Sequence, residues 1–184
     1  MLDALEVRHG PSHMEVKMTP TGPCLVEVGA RCHGAEGFWT AVADEAVGYN
    51  QASVALDAYV DPAAFAARPV VPASPLRAAG TVQFMLLHRG GRLRRVRPAA
   101  LAELVGLASY RGHEIFVHAG SVVAPTIDCF TWAGAVKLNH PSAAALDADY
   151  ARIAALCADT ERGLWEFDDA DGDDNAAATP DRTQ

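Results

Sequence analysis

Two glutamates, an arginine and a histidine fall within one short stretch at a spacing that could serve phosphate chemistry. Residues 12–31 read SHMEVKMTPTGPCLVEVGAR, with Glu15 and Glu27 each inside an apolar-alternating run, Arg31 just beyond, and His33 in the next loop. Side chains alternate faces along a strand. If the two runs pair across the connection Thr19-Pro20-Thr21-Gly22-Pro23, Met18 meets Cys24, Val16 meets Val26, and Met14 meets Val28. That register sets Glu15 directly opposite Glu27, with Cβ atoms about 4.5–5.5 Å apart, where like charges repel. A hard divalent cation relieves the repulsion and fills its shell with water and phosphate oxygens. Arg31 emerges on the same face and can hold a phosphate bidentately. Gly29, Gly34 and Gly37 let backbone approach a ligand. The pattern alone equally allows a solvated charged face, with Lys17 and Arg31 neutralising the glutamates.

Other chemistry-bearing residues are placed less well. His113 and His118 sit five apart in a strand-like run, so they point to opposite faces and cannot share a metal. Cys24, Cys32 and His33 lack zinc spacing. DADGDDN, from Asp168, misplaces the glycine of a calcium loop and has no closing glutamate. Arg92, Arg94, Arg95 and Arg97 read as a solvated strand edge, and Trp39, Trp132 and Trp165 as packing residues. His33 has a plain alternative reading as an ordinary loop histidine.

The elements that must position these residues follow from periodicity and turn chemistry. A hairpin over roughly 12–30 precedes a polar, glycine-containing loop, and apolar residues at helical spacing predict a helix over Thr40–Tyr59. A Pro/Ala-rich connector at 61–75 leads to a second unit. There GTVQFMLLH and RLRRV flank Arg89-Gly90-Gly91 as a hairpin signal. PAALAELVGL reads as a short helix with proline in its first turn. HEIFVHAG and AGAVKLNH read as strands, and a closing helix follows with Ser142 as its cap. LDALEV at the start resembles the last turns of an uncapped helix, which suggests that the chain begins inside a larger fold.

The 184 residues are 50% apolar, enough for one ordinary core or two small lobes. Of the formal charge of −8, Glu166 onward contributes −6, from seven acids against Arg182 alone, so the body carries only −2. No basic stripe points to nucleic acid, and no apolar run is long enough to span a bilayer. The tail composition predicts disorder. Four cysteines without C-x-x-C spacing fit reduced thiols in a cytoplasmic protein. The fold class expected is α+β, in three parts. Residues 1–75 form a first lobe, 76–165 a sheet-plus-helix subdomain, and 166–184 an acidic disordered tail.

GPSHMEVKMTPTGPCLVEVGAR resembles the metal-binding hairpin of ATP-grasp ligases, in which an H-x-E strand is followed, after a turn, by E-[aliphatic]-N-x-R. GTVQFMLLHRGGRL, TIDCFTWAGAVKLNH and the helix with DADYARI are similar to the terminal subdomain of the amino-acid-ligase-like branch. The resemblance runs from about His9 to Leu164. It implies that residues 1–75 are the C-terminal lobe of an ATP-grasp domain. It also implies an ATP-dependent carboxylate–amine ligase working through an acyl phosphate. Glu15 and Glu27 would ligate Mg2+ (or Mn2+) on ATP, Arg31 would be catalytic and touch the transferred phosphoryl group, and His33 would help bind nucleotide. Gly29 stands where the family usually has asparagine. No glycine-rich phosphate-covering loop or strand lysine is found. The resemblance therefore implies activity only with a missing N-terminal half, and an exposed apolar face that meets that half or a second copy. The alternative is a non-catalytic remnant or interaction module.

Overall fold

The computed structural model describes residues 1–168, so the acidic run from Asp169, where disorder was expected, lies outside the described residues. The fold is α+β, as the sequence predicts. Its first element is the hairpin of β1 (His13–Thr19) and β2 (Gly22–Gly29). This ribbon stands apart from the other two sheets and contains no buried residue.

The expected register holds at the glutamates and fails at the turn. Glu15 pairs with Glu27 and Met14 with Val28, but Val16 meets Leu25, Lys17 meets Cys24, and Met18 meets Pro23. The connection is a tight turn rather than a five-residue loop, because Thr19 already pairs with Gly22. Thr19 Oγ1 accepts from the Thr21 N–H at 3.3 Å and donates to the Gly22 carbonyl at 2.7 Å. Gly22 sits at φ +114°, where a side chain would be strained. That turn would impose a register one residue out of step with the glutamate pair. A β-bulge that leaves Val26 unmatched absorbs the difference, and bulges of this kind re-aim neighbouring side chains.

The helix predicted over Thr40–Tyr59 is two helices, α1 (Trp39–Val47) and α2 (Gln51–Val60). Gly48 ends α1 in the left-handed region at φ +88°. Asn50 then starts α2 with a reciprocal capping box: its side chain accepts from the Ser53 N–H, and Ser53 Oγ accepts from the Asn50 N–H. A short α3 (Pro62–Ala66) follows, with Asp61 as its cap.

The core belongs to the second unit. β3 (Ala79–Met85), β7 (Gly134–His140) and β5 (Tyr110–Ile115) form an antiparallel sheet in the order β3-β7-β5. A second sheet places β4 (Gly91–Val96) between β6 (Val122–Val123) and β8 (Trp165–Phe167). The expected hairpin around Arg89-Gly90-Gly91 therefore does not form, since β3 and β4 join different sheets. Met85, Leu93, Leu104, Val136, Leu138, Ile153 and Leu164 are fully buried between these sheets, α4 (Pro98–Val105) and α5 (Ala143–Ala158). Ser142 caps α5 as expected.

The segment read as tail begins inside this sheet. Glu166 in β8 pairs in register with Arg95, and its carboxylate bonds the Arg95 guanidinium at 2.8 Å, with Arg94 and Arg97 beside it. The arginines are thus held by an acid on a neighbouring strand, and β4 is a central strand rather than an edge.

Helix α1 ties the two regions together. It packs on β3 and β7, where Asn139 Nδ2 donates to the Val42 carbonyl at 3.1 Å. Gly80 has no room for a Cβ beside Asn139 and Val42. Arg111 grips Glu45 with two hydrogen bonds of 2.7 and 2.8 Å.

Candidate functional site

Directly opposed residues of an antiparallel pair project to the same side of the ribbon, so Glu15 and Glu27 share a face. Among the described residues neither carboxylate has an ion-pair partner. Lys17 and Arg31 do not neutralise them, as the solvated-face alternative required. Arg31 instead folds back over Gly29. Its Cγ, Nε and Cζ lie 3.6–3.7 Å from where a Gly29 Cβ would be, and Nη1 donates to the Cys32 carbonyl.

The loop beyond the hairpin turns back onto this face. His33 stacks on His13 with ring centroids 4.4 Å apart, and Trp39 backs His33 at 5.8 Å. Trp39 Nε1 donates to the Gly34 carbonyl at 2.8 Å, so this tryptophan does more than fill space. Gln51, the first residue of α2, is the clamp. Its Nε2 donates to the Ser12 carbonyl at 2.7 Å, and its Oε1 accepts from the His33 N–H at 2.8 Å. One side chain thus fixes the root of β1 and the loop carrying His33. Burial first, then His13 and the Arg31 cation, hold the His33 imidazole below its ordinary value near 6.5, with Glu15 pulling the other way. The shift favours the neutral imidazole.

Ala35 and Glu36 sit at φ +54° and +52°, left-handed conformations that cost a non-glycine residue about 1–2 kcal/mol each. Such strain concentrates where a loop is held for a purpose other than its own stability.

Sequence reasoning placed Glu15, Glu27, Arg31 and His33, and the structure brings them to one end of the ribbon. It gave no role to His13 or Gln51 and read Trp39 only as a packing residue. The alternation of His13 with Glu15 could have signalled the first. Nothing local signals Gln51, whose partners lie 39 and 18 residues away.

Among the described residues no three His, Cys, Asp or Glu side chains are grouped to share one metal. A hard cation here would take two protein carboxylates and complete its shell from water and phosphate, which suits Mg2+. A cleft of about 630 Å3 opens nearby, lined by Arg8, His9, Gln51, Val54, Tyr59 and Phe65 among others. It takes in neither glutamate, which stand on open ribbon.

No family model matches the chain, and no curated protein does. Among solved structures the chain is similar to an L-amino acid ligase from Bacillus licheniformis, with a TM-score of 0.70 and 18% identity. The match covers 91% of this chain and 38% of the ligase, so this chain spans well under half of that protein's length. The fold is that of the C-terminal part of an ATP-grasp ligase. Among the described residues no helix is long and apolar enough to cross a membrane.

Proposed function

We propose that this chain contributes the metal-binding wall of an ATP-dependent carboxylate–amine ligase. The observation that carries the reading is the direct opposition of Glu15 and Glu27, which have no ion-pair partner among the described residues, with Arg31 lying over Gly29 near the same end of the ribbon. A bound Mg2+ or Mn2+ would supply charge neutralisation on phosphate oxygens. Glu15 and Glu27 hold and orient that cation. Arg31 places a guanidinium where negative charge gathers when the carboxylate substrate is phosphorylated to an acyl phosphate, before the amine displaces phosphate. His33, its backbone N–H held by Gln51, borders the same space with an imidazole whose neutral form is favoured. The nucleotide's other wall comes from a partner portion of the ligase fold.

Isothermal titration of the chain with Mg·ATP tests this. Binding that is lost on chelation and in Glu27→Gln supports it. Binding indifferent to both the metal and Glu27 would sink it.

A second reading, a non-catalytic interaction module, is favoured by the exposed apolar residues of the ribbon. Met18 is 79% exposed, Val26 57% and Val16 46%. Such a face suits docking to the rest of a ligase fold or to a second copy. Docking that survives Glu15→Gln with no Mg·ATP binding in the assembled complex would support it.

A further inference from the structure

His13 is the one residue at the ribbon's end whose chemistry is left unused. It lies on the same face as Glu15, two residues along β1, and pairs in register with Gly29. Gly29 itself offers no side chain across from it, the Arg31 side chain lies over Gly29, and the next pair on the same face is Glu15 and Glu27. Its Nδ1 is closed off from solvent and has no hydrogen-bond partner, with the His33 ring stacked 4.4 Å away. Leaving a buried polar atom unmet costs about 1–3 kcal/mol. The structure sustains that cost at a ring held in place from both sides. Gln51 pins the Ser12 carbonyl before it and the His33 N–H beside it, and Trp39 backs the stack.

We propose that His13 is a ligand-contacting residue of this site, its Nδ1–H donating to a phosphoryl oxygen of the metal-bound phosphate chain beside Gly29, where the Arg31 guanidinium also lies. His33 is the cover. Gln51 holds its backbone N–H, but among the described residues its ring makes no hydrogen bond, so uncovering His13 requires only that the imidazole turn about its own side-chain bonds. A hard cation prefers oxygen to imidazole, which assigns the metal to the glutamates and the phosphate oxygen to His13. The inference rests on the metal-binding reading of the ribbon and adds a second contact to it.

The test uses the whole chain with Mg2+ and inorganic tripolyphosphate, which carries the phosphate chain without a base or sugar. Nitrogen NMR of the imidazoles reads His13 Nδ1 directly, and calorimetry reads affinity for the wild type and two variants. His13→Phe keeps a ring against His33 but has no donor, whereas His13→Asn keeps a donor and loses the ring. Tripolyphosphate should shift the His13 Nδ1 resonance. His13→Phe should weaken binding about tenfold at a melting temperature no lower than that of the wild type, and His13→Asn should recover most of the loss. If Glu15→Gln abolishes binding while His13→Phe binds like the wild type and the Nδ1 signal stays put, His13 is a packing residue and the metal reading stands. If no amide of Gly22–Gly29 responds to Mg2+ and millimolar tripolyphosphate, both readings fall together.

Discussion

At the scale of single residues, the carboxylate pair makes the sharpest claim. Two like charges opposed across a ribbon destabilise it by about 0.2–1 kcal/mol unless something sits between them. Glu15→Gln should therefore raise the melting temperature slightly in a chelator and abolish the rise that added Mg2+ gives the wild type. A calorimetric melt with and without Mg2+ reads both signs. A Glu15→Gln variant less stable than the wild type in chelator would show that Glu15 has a stabilising partner instead. These residues were legible in the sequence because alternation assigns faces locally. The contribution of Gln51 was not, because its two hydrogen bonds join segments that only the folded chain brings together.

Among elements, capping and turn chemistry decided where the sequence pattern left latitude. Apolar residues recur at helical spacing straight through Gly48 and Asn50, so periodicity predicts one helix. A left-handed glycine and a capping box make it two. The break lets α2 present Gln51 to the hairpin root while α1 lies on the second sheet. Asn50→Ala should destabilise the protein by about 1 kcal/mol in denaturant melts, with faster amide exchange in Gln51–Val54. An unchanged midpoint would mean that the cap is dispensable. In the hairpin, the tight turn and the bulge at Val26 together preserve the glutamate pairing that a five-residue loop would have given unaided. The apolar side stays apolar because Leu25 takes the place expected of Val26.

For the molecule as a whole, the joint between α1 and the second sheet matters most, since α1 carries the loop with His33 at its N-terminal end. Asn139 and the Glu45–Arg111 pair hold it. The hydrogen bond from Arg111 keeps the Glu45 carboxyl below its ordinary value near 4.5. Its stabilisation is present above that value and fades as the pH falls through it and below. Both side chains are about one-third exposed, so solvent screening limits the effect to roughly 0.5 kcal/mol. Wild type and Glu45→Gln should differ by that amount at pH 7 and converge as the pH falls through the depressed value, below the ordinary 4.5. Melts whose difference is independent of pH would remove the ion pair from the account. The ribbon adds no buried residue to the core, whose main cluster lies among the second unit's strands and helices, with Phe38 and Val42 buried beside α1's contact with that unit.

The sequence by itself determined the α+β class, the opposition of Glu15 and Glu27, the cap at Ser142 and the helix start at Pro98. Each depends on residues close along the chain, where backbone sterics and side-chain alternation act directly. Tertiary structure alone decided that β3 pairs with β7 rather than β4, that Glu166 joins the arginines of β4, and that His13, His33 and Trp39 stack beside the glutamates. Apart from His33 on Trp39, those pairings cross long sequence separations. They are chosen by which surfaces bury one another, a competition among all segments at once that no local pattern encodes.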